Sequence, residues 1–218
     1  MESPRETPNL IQLPEGLTLV SGELSMRGDF ASMKDRLKPN NLNGEMLVRA
    51  ARTKSALNGL TPIAVDATAG MGEDSFLLAA AGFKVYLFEK NPTIAALLKD
   101  ALERALKDPS LAPVASRMTF MEGDSVAGMK ALTERPDVIY LDPMFPERKK
   151  SGLIKKKFQL LQLLERPCDD EDGLLQAAVS ASPAKIVIKR PAKAPVLGGI
   201  KPSYSINGNS IRYDCIVK

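Results

Sequence analysis

From Thr61 onward, short apolar runs alternate with longer stretches whose apolar residues recur every three or four positions, the pattern of strands alternating with amphipathic helices. Ile63, Ala64 and Val65 predict a buried strand, followed by a turn over 66–72 and a helix over 73–81 that Gly82 ends. A second strand over 84–88 leads through Glu89 into a helix reaching about Leu106. Asn91 is a suitable N-cap for it, and Pro92 takes the first helical position, where proline is tolerated. Further strands are predicted over 118–121, 137–141 and 186–188, with helical segments over 156–164 and 174–180. Two last strands, 204–206 and 211–217, flank Asn207-Gly208, a hairpin signal. Upstream, Met46, Leu47 and Ala50 predict a helix over 44–54, and the short apolar pieces 10–13 and 17–20 read as an arm or small hairpin.

Strands joined through helices require crossover connections, hence a mainly parallel sheet covered on both faces. The expected fold is α/β: a Rossmann-like, doubly wound, mainly parallel seven-stranded sheet ending in an antiparallel hairpin. Residues 1–55 are expected to form an N-terminal arm and helix, and residues 56–218 the Rossmann-like domain. Ligands of such sheets lie at the carboxyl ends of the strands.

Composition narrows the chemistry. The 218 residues contain no histidine, which removes Ser-His-Asp and Cys-His catalysis and histidine-ligated metals. The two cysteines, Cys168 and Cys215, lie too far apart in sequence to suggest a thiolate zinc site or disulfide framework. No metal is therefore expected. No run approaches the length of a membrane span, and the opening residues lack the apolar stretch of a signal peptide, so the expected setting is cytoplasmic, without a membrane partner. The formal charge of +4 is unevenly spread: residues 147–157 hold six basic side chains against one acidic, and residues 183–218 seven against one. Two such segments suit either a polyanion-binding face or a solvated lysine-rich surface.

The turn Asp66-x-x-x-Gly70-x-Gly72 joins a strand to a helix, where glycines let backbone approach a ligand closely. Glu89 ends the next strand, where an acidic side chain can bind both hydroxyls of an adenosine ribose. Nicotinamide cofactors and S-adenosylmethionine (SAM) share this outline. Charge separates them: Asp66, Glu73 and Asp74 surround the place where a dinucleotide would put its pyrophosphate, and like charges about 4 Å apart repel by about 4 kcal/mol at an effective dielectric of 20. The sulfonium and ammonium of SAM suit acidic neighbours, and Ser75 stands where the dinucleotide pattern has its third glycine. Asp124-Ser125, after the third strand, is placed to meet an adenine ring or simply to form a turn. Lys90 flanks the adenosine or faces solvent.

Asp142-Pro143-Met144-Phe145 ends the fourth strand of the series, next to the glycine turn. It looks like the [DNS]-P-P-[FY] signature of methyltransferases acting on exocyclic amines of nucleobases. A ring-conjugated amine is a poor nucleophile because its lone pair is delocalised. Acceptors such as the Asp142 carboxylate and Pro143 carbonyl can bind its hydrogens and aim the lone pair at a methyl group. Phe145 can stack on the base, worth roughly 1–3 kcal/mol in single-strand binders. Positioning and electrostatics then carry the reaction without histidine. Arg148, Lys149, Lys150, Lys155 and Lys156 follow immediately and can hold phosphates.

Together, the segments 65–72, 88–92 with 95–98, 140–146 (Tyr-Leu-Asp-Pro-Met-Phe-Pro) and 187–191 (Val-Ile-Lys-Arg-Pro) resemble the ribosomal small-subunit methyltransferase J family. The resemblance runs from about Phe30 to the C-terminus. It implies a class I SAM-dependent methyltransferase fold and transfer of methyl from SAM to the exocyclic N2 of a guanosine in 16S ribosomal RNA. The implied partner is that RNA or the small ribosomal subunit. By motif, the donor would be contacted at Glu73, Asp74, Glu89, Lys90, Asp124, Ser125 and Asp142. The resemblance places Lys189 and Arg190 near the RNA or the rim of the active site, whereas the residues alone also suit a basic cluster at the sheet edge. Departures from the family pattern are Met144 for a second proline, Glu73 and Lys90 for usual arginines, Asp124 for a usual serine, and the lack of an additional N-terminal segment. Competing readings are a methyltransferase acting on another planar amine (a DNA base, another RNA or a protein glutamine) and a non-catalytic RNA-binding module.

Overall fold

The computed structural model describes residues 7–143, 160, 164 and 170–218. Where the sequence suggests an arm or small hairpin, β1 (Asn9–Leu13), β2 (Gly16–Ser21) and β3 (Leu24–Met26) form an antiparallel meander. Short helices α1 (Pro39–Gly44), α2 (Met46–Ala51) and α3 (Lys54–Leu57) follow. Strands and helices then alternate: β4 (Ile63–Asp66), α4 (Glu73–Ala80), β5 (Lys84–Glu89), α5 (Pro92–Lys107), α6 (Ala112–Ala115), β6 (Met118–Glu122), α7 (Ser125–Ala131), β7 (Val138–Leu141), α8 (Glu171–Ser180) and β8 (Lys185–Pro191). The chain closes with β9 (Tyr204–Asn207) and β10 (Ile211–Val217).

The large sheet has seven strands in the order β6-β5-β4-β7-β8-β10-β9. Strands β4 to β8 pair in parallel, while β10 runs antiparallel to both β8 and β9. This is the expected doubly wound sheet with its terminal hairpin. Order reverses beside β4, so the carboxyl ends of β4, β5 and β7 flank the crevice where such sheets take ligands.

Successive side chains point to opposite faces of a strand, and here both faces are buried. Ala64, Val85, Leu87, Val138, Tyr140 and Val187 face α2, α4 and α5. Val65, Phe88, Ile139, Leu141, Ile186 and Ile188 face the other side, against Met129 of α7 and Leu174 and Leu175 of α8. The same alternation continues past the apolar residues and sets the site. Asp66, Glu89, Asp142 and Lys189 fall on the face carrying Ala64, Leu87, Tyr140 and Val187, the α4 side.

Local caps agree with the sequence. Asn91 Oδ1 accepts from the N–H groups of Thr93 (3.0 Å) and Ile94 (3.3 Å), capping α5 above Pro92. The meander lies on the outer side of α5, where Leu19 and Met26 meet Ile94 and Leu97. Phe30 stacks on Phe76 of α4 at 4.4 Å between ring centres, tying the N-terminal segment to the helix that follows the glycine turn. Among the described residues, no helix is long and apolar enough to cross a membrane.

Candidate active site

The turn between β4 and α4 is held from three sides. Ala67 N–H donates to the Tyr140 carbonyl (3.1 Å), Ala69 N–H to the Phe88 carbonyl (3.0 Å), and Asp142 N–H to Thr68 Oγ1 (2.7 Å). The ends of β4, β5 and β7 are thus stitched into one rim. Gly70 (φ 52°) and Gly72 (φ 77°) adopt left-handed backbone, the region that favours glycine. At Gly72 a side chain is also excluded by space, since a Cβ would stand 2.6 Å from Leu98 Cδ1.

Glu89 closes the rim from β5. Its two carboxylate oxygens accept from the N–H groups of Asn91 (2.7 Å) and Gly70 (2.9 Å). Burial pushes this carboxyl up, against the backbone N–H groups of Asn91, Gly70 and Lys90. Lys90 itself is exposed. Asp124 is exposed and N-caps α7, its Oδ1 accepting from Ala127 N–H (2.9 Å), with Ser125 as the first helical residue.

Asp66 occupies a different position from the one its charge suggested. It is 0% exposed, with Oδ2 accepting from Ser75 Oγ (2.6 Å) and Oδ1 from Thr68 N–H (3.0 Å). Burial pushes its pKa up to about 7, against these two hydrogen bonds and with Asp74 and Asp142 adding to the rise. Asp66 therefore organises the turn from beneath, and the negative lining of the crevice comes from Asp74, Asp142 and Glu89. Ser75, read only as a missing glycine, is this carboxylate's buried partner.

Asp142 and Asp74 meet across the crevice through a cation. Lys189 Nζ lies 2.8 Å from Asp142 Oδ2 and 3.0 Å from Asp74 Oδ2, and the Tyr140 hydroxyl donates to the same Asp74 oxygen (2.6 Å). Burial works to lower the Lys189 pKa, but Asp74 and Asp142 outweigh it and hold the ammonium firmly protonated. Burial also raises Asp142, with Lys189 opposing and Asp74 reinforcing the shift. Tyr140 is pushed well above its ordinary value by burial and by Asp74 and Asp142, so its hydroxyl remains a donor. Pro143 is buried directly after Asp142.

Two basic residues are expected near the RNA or the rim of the active site. Lys189 turns inward to the two aspartates. Arg190 is 3% exposed, its Nε donating to the Pro195 carbonyl (3.1 Å) and its guanidinium 3.5 Å from Glu171. The Arg190 guanidinium is thus enclosed between Glu171 of α8 and the Pro195 carbonyl of the segment after β8. Phe145, Arg148, Lys149, Lys150, Lys155 and Lys156 lie outside the described residues. Glu73 stands in the first turn of α4, partly exposed. Among the described residues, no group of three or more His, Cys, Asp or Glu side chains is arranged to hold a metal.

Sheet order and an acid-lined turn at the strand ends together define a SAM-dependent methyltransferase. A solved SAM-dependent methyltransferase from Neisseria gonorrhoeae superposes with a TM-score of 0.78 at 30% identity, covering 99% of this chain and 85% of that one. The fold is also that of the rRNA methyltransferase AviRa from Streptomyces viridochromogenes (TM-score 0.51, 18% identity, 83% and 85% of the two chains). A family model described as "Putative SAM-dependent methyltransferase" matches residues 4–218. Proteins named ribosomal RNA small subunit methyltransferase J are similar at the sequence level. The one from Pseudomonas aeruginosa (strain LESB58) is 47% identical over 177 residues, 81% of this chain and 67% of its own length. That from Aeromonas salmonicida (strain A449) is 46% identical over 175 residues, 80% and 69% of the two chains. The chain belongs to the ribosomal RNA small subunit methyltransferase J family, and its methyl donor is SAM. The rim fits that molecule in its charge and its space: acidic side chains stand at the ends of β5 and β7, and backbone rather than bulky side chains at Gly70 and Gly72.

Proposed function

We propose that this protein methylates the exocyclic N2 of a guanosine in 16S ribosomal RNA, acting on the RNA or on the small ribosomal subunit. The observation that carries this reading is the position of Asp142-Pro143. The pair directly follows β7 at the centre of the sheet, beside the glycine turn, with the Asp142 backbone fixed by Thr68 and its carboxylate by Lys189. The names of the relatives supply the RNA.

Glu89, Asp74, Glu73 and Lys90, with the backbone of Gly70 and Gly72, are assigned to the donor, and Asp124 and Ser125 to its adenine end. Asp66 supports them from below. When bound, SAM supplies an electrophilic methyl group on a sulfonium. Asp142 Oδ1 carries no hydrogen bond among the described residues, and we assign it to accept an N–H of the target amine. The Pro143 carbonyl takes the second N–H, which favours a pyramidal nitrogen with its lone pair directed at the crevice. Once the new C–N bond forms, the nitrogen has a proton to lose, and the Asp142 carboxylate, its affinity raised by burial, is placed to take it. Phe145 is assigned to stack on a base that has left its helix, and Arg148, Lys149, Lys150, Lys155 and Lys156 to hold flanking phosphates. The setting for such a reaction is the cytoplasm, where ribosomes are assembled.

The test is to incubate the protein with isotopically labelled SAM and small subunits lacking native base methylation, then digest the RNA and identify the labelled nucleoside by mass spectrometry. The expected product is N2-methylguanosine in 16S RNA. Label in another nucleoside, or only in protein, would overturn the substrate assignment.

A further inference from the structure

Lys189 sits in a run, Lys189-Arg190-Pro191, whose charge alone suggests a nucleic-acid contact, yet its ammonium points into the sheet's crevice. It projects from β8, just past the residues that pair with β7, to Asp142 after β7 and to Asp74 in the first turn of α4. Its Nζ lies 2.8 Å from Asp142 Oδ2 and 3.0 Å from Asp74 Oδ2, with the side chain 25% exposed. Both carboxylate oxygens are within 3.0 Å of one nitrogen, so without that cation two like charges would face each other across a short, partly dry gap. Asp74 is itself held by the Tyr140 hydroxyl, so the lysine links Asp142 to a carboxylate that has a second, buried partner.

We propose that Lys189 is a positioning residue for methyl transfer: bridged to Asp74, it holds Asp142 ionised and its carboxylate oriented, leaving Oδ1 for the target amine. The proposal rests on the assignment of Asp142 as the amine acceptor. Thr68 fixes the Asp142 backbone and Lys189 its carboxylate, so the side chain has little freedom left. Other titratable or charged groups bearing on this cluster are Asp66 of β4, Glu73 of α4, Tyr213 of β10, and the Arg36–Glu45 pair. Tyr213 stands opposite Lys189 in register, and burial and Asp74 keep it protonated. Arg36 is bonded to Glu45 (2.7 Å), and Glu73 has a partner of its own. Among the described residues, Lys189 is thus the cation directly bonded to Asp142.

The experiment uses the full chain with Lys189→Met and Lys189→Arg. The Asp142 carboxyl is titrated by carbon-13 NMR without substrate, and kcat is measured from pH 5.5 to 9 on undermethylated 16S RNA. Loss of an adjacent cation raises a carboxyl by about 1 to 3 pH units. In Lys189→Met, the Asp142 titration and the acid limb of kcat should both move up by that amount. The salt dependence of KM for RNA should be unchanged. Lys189→Arg keeps the charge, so it should retain the wild-type limb and guard against an effect of misfolding. An unmoved Asp142 titration overturns the proposal. So does a defect confined to KM with a shallower salt dependence, which would make Lys189 a phosphate contact. Wild-type protein that leaves RNA unmethylated while the NMR shift appears as expected would instead count against the functional reading, and with it only the catalytic half of this proposal.

Discussion

Replacing Asp66 by asparagine isolates one buried ionisation. In the folded protein this carboxyl is enclosed, held by Ser75 and Thr68, and raised to about 7 from an ordinary value of 3.8. Between those values the folded chain keeps a proton that the unfolded chain has lost. The stabilising contribution of the protonated group is therefore complete below about pH 4, falls as pH rises, and is gone above about pH 7. Three units at 1.36 kcal/mol each make the loss about 4 kcal/mol, the order of magnitude for a fully buried group. Asparagine is uncharged throughout: its carbonyl can accept from Thr68 N–H, and its amide can donate to the Ser75 hydroxyl. Guanidinium denaturation of both proteins between pH 4 and 8.5 measures the effect. The difference in unfolding free energy, wild type minus Asp66→Asn, should fall by about 4 kcal/mol across the range, most steeply from about pH 4 to 7. Affinity for S-adenosylhomocysteine should change less than about threefold, because Asp66 lies beneath the turn and touches no open surface. Parallel stability curves, constant to within about 1 kcal/mol, would refute the assignment of a buried, proton-holding Asp66.

Other outcomes follow from the same rim. Gly72→Ala places a methyl 2.6 Å from Leu98 Cδ1 at a left-handed φ, and should lower Tm by roughly 3–10 °C in a thermal melt, from about 1–3 kcal/mol of strain. Glu89→Gln leaves one acceptor oxygen for two backbone N–H groups, Gly70 and Asn91. Calorimetry should show S-adenosylhomocysteine binding weakened by about tenfold or more; unchanged binding would place the donor elsewhere.

Much of this site was legible because strand parity and helix caps are local. The runs of β4, β5 and β7, the glycines of the turn, Glu89 at a strand end, and Asn91-Pro92 opening α5 all announce themselves within a few residues. Helix α7 has a local signal too, Asp124 as N-cap with Val126 and Met129 three apart, at the place where Asp124-Ser125 is expected to meet an adenine ring or form a turn. The state of Asp66 was not readable, since its burial depends on Ser75 folding back under the turn. Arg190 in a basic run reads as surface, and its burial rests on contacts from elsewhere in the fold, Glu171 of the helix preceding β8 and the Pro195 carbonyl. The inward aim of Lys189 required knowing that β7 and β8 are neighbours and that α4 begins above both.

The central claim is that the crevice at the strand ends holds the methyl donor while Asp142 presents the acceptor amine. Single-turnover transfer from labelled SAM to undermethylated 16S RNA, compared for wild type and Asp142→Ala alongside calorimetric S-adenosylhomocysteine affinities, tests it most directly. The account predicts a transfer rate at saturating SAM lower by about 100-fold or more, beyond any change in donor affinity, the size of effect when one pre-organised polar group is removed from a transition state. Transfer at the wild-type rate by Asp142→Ala, with the label still on the same nucleoside, would contradict it.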